Sequence, residues 1–418
     1  MRAILPALFL LAPALAASGK ESSLPAPKKK LSAVALLPPG SQLQRVMLPR
    51  YDDDRRLSGV LKAQTMTLVS EDVIAGDTVS IEFFNPDRSP RGRVDLVKAL
   101  LDQGKGLLRS HETVTIQADR IHARGNGLVY SLEQGEGFLK GPAVTWIQAA
   151  TETTMNSKST PLRSAATAIA ASATLAAAPP APLTPEQAAA TQRDAATAAA
   201  THAVAGENAR ANLRAELESS AAATAAATSF LERAELLADA PATMPKPAQP
   251  LDVKPGPSDT VISCDGGMYF DADAGLFVYL KNVRVADPRF SLNGANELKI
   301  FLTKKPEEPA TAKTPDKQPG MALGAKFGDV ERIVATGAVR ILQQQPEAGK
   351  EPVEASGAIF TYHTQTGEIV LTGGYPWVRQ GTTFMRANQP NLSLRIQQNG
   401  SFVTEGNWDM GGNLNQER

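Results

Sequence analysis

The 418-residue chain contains a single cysteine, Cys264, and four histidines, His111, His122, His202 and His363. One thiol excludes an internal disulfide framework and a Cys-rich zinc site. So few imidazoles leave little material for a histidine metal centre, and neither metal nor cofactor is expected. Neither charge sign is in excess, because 43 Lys+Arg balance 43 Asp+Glu. A dedicated nucleic-acid binder carries a basic surplus to neutralise phosphates, so nucleic acid is not an expected partner. Aromatic residues are scarce, at 5%. After the N-terminus, no apolar run approaches the roughly 20 residues of a spanning helix.

What is abundant is alanine. There are 65, of which 32 fall between residues 161 and 240. Alanine side chains have little area to bury, so the core must come from the rest of the chain. Residues 1–16 read as a signal peptide. Arg2 precedes a short apolar run from Ile4, and Ala14-Leu15-Ala16 is a small-x-small cleavage site. An exported, periplasmic protein is expected, with an uncleaved anchor as the alternative. Residues 17–56 carry Lys28-Lys29-Lys30, Pro38-Pro39 and Asp52-Asp53-Asp54 and read as disordered.

Period-two alternation starts at Leu57 and marks a first β half over 57–149. Val79, Ile81 and Phe83 share one face of a strand, as do Val114 and Ile116. Glycines 104, 106, 125, 127, 135 and 137 read as turns. A Ser/Thr/Ala/Pro linker spans 150–183. Thr184-Pro185-Glu186-Gln187 then opens a helical insertion over 184–240. Its apolar face is thin, so a marginal or separately moving helix is expected. A Pro-rich linker covers 241–259.

A second β half spans 260–410, with a polar loop at 304–320 and a short tail at 411–418. Leu276 and Val278 share one face, with Phe277 and Tyr279 on the other. Leu298 and Ile300 repeat the pattern. Leu394 and Ile396 precede Asn399-Gly400, which predicts a two-residue hairpin placing Ile396 opposite Val403. Asn126-Gly127 and Asn293-Gly294 are further turn candidates.

The halves resemble each other at a fixed offset of 232 residues. Ala123, Gly125, Tyr130, Gly135, Glu136, Leu139 and Gly141 match Ala355, Gly357, Tyr362, Gly367, Glu368, Leu371 and Gly373. Short strands that cannot bury their faces alone must stack, so duplication is the better reading than chance likeness of hairpins.

Gly337-Ala-Val339-Arg-Ile341, then Ala355 to Tyr362 around Phe360, then Gly367-Glu-Ile-Val-Leu371-Thr-Gly373 resemble the OstA-like repeat of periplasmic lipopolysaccharide-transport proteins. The stretch from Ala63 to Trp146 resembles the related LptC-like component. The resemblance covers roughly 230 residues, counted from the two β halves it spans. The insertion and the joining of two halves in one chain depart from that family. The resemblance implies a mainly β fold: an open, V-shaped antiparallel jelly roll in two repeated halves, interrupted by the Ala-rich helix. It further implies an apolar trough for acyl chains, lipopolysaccharide as ligand, and stacking on other lipopolysaccharide-transport proteins through edge strands. Val79, Ile81, Phe83, Val114, Ile116, Leu276, Val278, Leu298, Ile300, Val339, Ile341, Phe360, Leu371, Leu394 and Ile396 are then the trough-lining candidates. Alternation alone fits plain core equally well.

No catalytic constellation stands out. His111-Glu112 begins like a zincin helix, but Thr115 stands where the second histidine must be. Asp271, Asp273 and Gly275 lack the closing bidentate glutamate of a calcium loop. Asp265 beside Cys264 argues against a reactive thiolate. His363 follows a strand tyrosine and is expected to face solvent. Two readings remain ahead of a carbohydrate-active enzyme. One is a non-enzymatic carrier of lipid through an apolar trough. The other is a structural or adaptor protein of the cell envelope, built on stacked repeats and a helical arm.

Overall fold

The computed structural model describes residues 37–148, 211–234, 254–303, 330–344, 351–397 and 402–412. The exceptions are 52–54, 85–86, 119–120, 132–133, 212–213, 272–273 and 405. The expected signal peptide, the 150–183 linker, most of the helical insertion and the 304–320 loop lie outside them.

The described strands belong to one antiparallel sheet. Four long strands open it: β1 (Gln42–Tyr51), β2 (Leu57–Leu68), β3 (Val73–Phe84) and β4 (Pro90–Asp102). Eight short ones follow: β5 (Leu107–Ser110), β6 (Val114–Ala118), β7 (Ile121–Gly125), β8 (Leu128–Ser131), β9 (Glu136–Lys140), β10 (Ala143–Ile147), β11 (Thr260–Cys264) and β12 (Gly267–Asp271). Four more long strands come next: β13 (Leu276–Ala286), β14 (Phe290–Leu302), β15 (Val330–Gln343) and β16 (Val353–His363). The last are β17 (Glu368–Thr372), β18 (Trp377–Gln380), β19 (Thr383–Ala387), β20 (Ser393–Ile396), β21 (Phe402–Thr404) and β22 (Trp408–Gly411). A single helix, α1, occupies 214–234 among the described residues.

The pairings reduce this list to a simple object. Each long strand bends at its middle, and each pair of short strands is one such strand broken at the bend. Thus β4 pairs β6 along one arm and β5 along the other, and β16 likewise pairs β18 and β17. The result is a meander of V-shaped rungs with two walls. Wall A holds β6, β7, β10, β11, β18, β19 and β22, and wall B holds β5, β8, β9, β12, β17, β20 and β21. The long strands cross from one wall to the other.

The bend is made by bulges and left-handed residues that line up from rung to rung. Thr78 has φ 51°, Lys281 and Asn282 have φ 62° and 48°, Gly294 has φ 76° and Gly337 has φ 135°. Pairing slips at Leu280/Val283, Asn293/Ala295 and Thr336/Val339. An extra residue in one strand raises the local twist and turns the chain into the second wall. Several turn expectations are corrected here. Asn126-Gly127 and Asn293-Gly294 are bends within rungs rather than hairpin turns, while Gly125 and Gly137 are paired strand residues of β7 and β9. Asn-Gly tolerates positive φ, which a bend needs as much as a turn does.

Two further expectations fail. Residues 42–51 form β1, paired along β2, although 17–56 read as disordered. An edge strand needs few apolar side chains, and Leu43 and Val46 suffice to hold it on the core. Pro49 is tolerated because β1 pairs on one side only among the described strands. The β20–β21 register is also one residue off the expected one, because Ile396 faces Phe402. Five residues then connect the paired positions, an odd number that a two-residue turn cannot supply.

The halves form one roll. β10 pairs β11 over five residue pairs, and β9 pairs β12 over five more. The internal repeat is exact in register: Leu128 faces Leu139, and Phe360 faces Leu371, 232 residues on in both strands. The core between the walls is one continuous apolar cluster running from Ala63 to Ile396.

At the joint the backbones touch. A Cβ on Gly141 would lie 2.1 Å from the Asp265 carbonyl oxygen and 2.7 Å from the Gly267 nitrogen. Backbone on backbone leaves nothing soft to yield. Gly141→Ala is expected to destabilise the protein by about 1–3 kcal/mol, read as a lower chemical-unfolding midpoint. An unchanged midpoint would show that the strands do not approach this closely.

Candidate functional site

Two places on the roll gather side chains beyond ordinary packing: a cleft between the walls and a helix dock outside wall B. The cleft lies at the joint. It is a narrow opening lined by Ile116, Ala118, Ile121, Ala123 and Thr145 from wall A. Met268, Phe270 and Phe277 close it from wall B. Thr145 is the one polar group, and its hydroxyl points at the Met268 sulfur, 3.5 Å away. A cleft with no charge, whose one hydroxyl is already engaged by Met268 and Tyr279, suits an alkyl chain rather than a charged ligand.

Thirteen of the fifteen trough-lining candidates face the space between the walls. In the first half these are Val79, Ile81, Phe83, Val114 and Ile116. In the second they are Leu298, Ile300, Val339, Ile341, Phe360, Leu371, Leu394 and Ile396. Only Ile116 reaches the cleft; the other twelve are buried against one another, so the roll is filled by its own side chains over most of its length.

Leu276 and Val278 are elsewhere. They point out of wall B and pack under α1 with Leu107, Val129, Phe138 and Tyr269. Their neighbours Phe277 and Tyr279 face the interior instead. Alternation separates the two faces of β13 correctly but does not say which is inside, because the helix makes both faces apolar. The runs Met268-Tyr269-Phe270 and Leu276-Phe277-Val278-Tyr279 are buried without interruption. Such unbroken burial is the mark of a strand covered on both sides.

The helix dock also revises the reading of the insertion. α1 is not a free arm: Ala223, Ala227, Phe230 and Ala234 are buried against wall B. Phe230 tilts onto the Tyr269 ring at 5.7 Å. Small residues let the helix backbone approach the sheet closely, which compensates for the thin apolar face. The N-terminal half docks by polar contacts. His363 donates to Glu216 at 2.9 Å, so it is not free in solvent as expected. Arg332 donates to Ser219 at 3.1 Å while lying 4.2 Å over the Phe301 ring. Lys299 is 2% exposed and reaches Ser220 at 2.7 Å and Glu297 at 2.6 Å. Thr224 donates to the same Glu297 carboxylate at 2.9 Å. A buried ammonium is costly unless it is paired and hydrogen-bonded, and these partners supply both.

Burial alone would push the Glu216 carboxyl up, but the His363 hydrogen bond and charge, with Arg332 and Thr361, hold it below its usual value. Burial opposes ionisation of Glu297 as well, and Lys299, Thr224 and Thr336 outweigh it. Glu136 goes the other way. Burial and neighbouring Asp271 raise it despite Arg233 at 3.2 Å, so that ion pair is not where the dock gains its strength.

The remaining candidates are structural. His122 stacks on Trp146 at 5.3 Å, and Tyr130 on Phe270 at 6.1 Å inside the roll. Cys264 is buried, its thiol donates to the Gly267 carbonyl, and burial pushes its pKa up, away from reactivity. Among the described residues, no group of three or more His, Cys, Asp and Glu side chains could hold a metal ion. No described helix is long and apolar enough to cross a membrane.

No family model and no curated protein matches the chain. Among solved structures it is similar to LptH of Pseudomonas aeruginosa, described as the LptA-homologous periplasmic component of a lipopolysaccharide transport device. The match covers 36% of this chain and 93% of that one, at 14% identity and a TM-score of 0.27.

Because Glu216 and Glu297 are held below the ordinary value of 4.5, their ionisation stabilises the dock above that pH and the gain is lost as pH falls through and below it. Amide protection across 214–234, measured against the intrinsic exchange rate at each pH, should therefore fall on acidification below 4.5. Glu216→Gln should flatten that dependence. A variant with the wild-type pH profile would show that the Glu216–His363 contact contributes nothing to docking.

Proposed function

We propose that this protein is a non-enzymatic periplasmic carrier that takes the acyl chains of lipopolysaccharide between its two walls and passes them along the roll toward the outer membrane. The cleft at the joint carries this reading. Here the apolar interior opens, and the cleft offers an alkyl chain contact on both sides. The rest of the interior is the same chemistry in a closed state, so a chain longer than the cleft would advance by parting the walls rung by rung. Burial of methylenes drives entry at about 0.8 kcal/mol per CH₂. No step of this process makes or breaks a bond, and directionality would come from an energy-coupled partner.

The ends of the roll fit the same picture. β1 and the β21–β22 rung each pair on one side only among the described strands. Met47 and Met410 stand 63% and 62% exposed on these end strands. Unpaired edges invite strand addition, which would let other lipopolysaccharide-transport proteins continue the sheet.

A second reading has its own support. The interior is closed over most of its length, as a purely structural envelope protein or adaptor would have it. The same experiment separates the two. Ile116→Lys and Ile121→Lys place an ammonium at the cleft on residues that are only partly buried, so the fold should survive. Charges at Leu371 or Ile341 would instead attack the core. Purified full-length variants should bind lipopolysaccharide about tenfold or more weakly, the equivalent of about 1.4 kcal/mol. If the folded variants bind as tightly as wild type, the cleft is not the site. If wild type ignores the lipid and instead holds a second envelope protein, the adaptor reading replaces the carrier.

A further inference from the structure

We propose that α1 is a strap that braces the joint between the two halves from outside, adding to the backbone ladder and the shared apolar core that already tie these rungs. The inference does not depend on what the roll carries.

The helix is inserted between two strands that are partners. β10 ends at Ile147 and β11 starts at Thr260, yet the two pair over their whole length. The chain leaves the sheet at the joint, crosses the outside of wall B as α1, and returns to the joint. Along α1 the contacts step across the sheet in order. Glu216 meets His363 on β16, Ser219 meets Arg332 on β15, and Ser220 and Thr224 meet Lys299 and Glu297 on β14. Phe230 meets Tyr269 on β12, and Arg233 meets Glu136 on β9.

The spacing accounts for this order. Seventeen residues from Glu216 to Arg233 rise about 26 Å at ~1.5 Å each. β16 and β9 are five rungs apart, about 24 Å at ~4.8 Å per rung. The helix therefore runs nearly perpendicular to the strands and meets one rung after another, and its last contacts lie beyond the joint, on the first half. A ligand-binding arm has no need of that match, whereas a strap does. Its two ends also differ in kind. The C-terminal end is anchored by buried Ala227 and Phe230, and the N-terminal end by hydrogen bonds and charge.

Hydrogen exchange on full-length protein tests this strand by strand. Ala227→Asp puts a carboxylate into the buried seam and should lift the strap. Phe230→Ala is the gentler change and remains informative if the first variant does not fold. In either variant the α1 amides should lose protection, and the β9, β10, β11 and β12 amides should lose about tenfold or more. The β2, β3 and β4 amides should stay as in wild type. Three results overturn the proposal: α1 released with the joint strands still protected, α1 undisturbed by both substitutions, or an equal loss across every rung.

Discussion

The backbone ladder at the joint is the contact on which the rest of this molecule depends. Ala143–Ile147 lies against Thr260–Cys264, and Glu136–Lys140 against Gly267–Asp271. Ten residue pairs turn two repeated halves into one sheet, one interior and one bend line. Closing this ladder brings together strands separated by 112 residues, from 148 to 259. The entropic cost of a long closure grows only slowly with length, so the insertion is tolerable once the pairing is in place. Gly141 is the price of a close approach. It has no side chain because the Asp265 carbonyl occupies the space a Cβ would need.

From that ladder the two walls acquire different surroundings. Wall B is covered outside by α1 and inside by the core, so β8, β9, β12 and the first part of β13 are buried on both faces. Wall A has no helix over it among the described residues. Its outer face carries stacked and paired polar groups instead, such as His122 on Trp146 and Glu354 shared by Arg340 and Arg379. The cleft opens between the braced wall and the unbraced one, where five wall A residues meet three from wall B. A roll of this kind separates its tasks. The ladder gives continuity, the interior gives apolar surface, and the helix gives stiffness on one side.

Much of this was legible in the residue order. Alternation at Val79-Ile81-Phe83 and at Val339-Ile341 marked inward faces, because those strands have solvent on their other side. The 232-residue offset showed the duplication, and Leu128–Leu139 and Phe360–Leu371 keep the same pairing in both copies. What escaped was whatever required knowing the third dimension. A bend inside a rung and a turn between rungs ask for the same backbone conformations, so Asn126-Gly127 and Asn293-Gly294 look alike from either cause. The inner face of β13 was misassigned because a covered strand is apolar on both sides. The dock of α1 was missed because its strength lies in small residues and in polar partners, Lys299, Arg332 and His363, that lie 79 or more positions away in sequence from the helix residues they meet. Of the cleft, only Ile116 was singled out. Met268 and Phe270 carried no period-two signal that set them apart from their neighbours, and Phe277 was placed on the face opposite the trough candidates.

Cross-linking the joint reads its register directly. Val144 and Ser263 are paired across it, as are neither Val144 and Ile262 nor Val144 and Cys264. With Cys264 replaced by alanine, a Val144→Cys/Ser263→Cys protein should form an intrachain disulfide on mild oxidation, since directly paired residues bring their Cβ atoms within bridging distance. The out-of-register pair Val144→Cys/Ile262→Cys should not. An absent or purely intermolecular bridge in the first protein, or equal bridging in both, would contradict a single continuous roll.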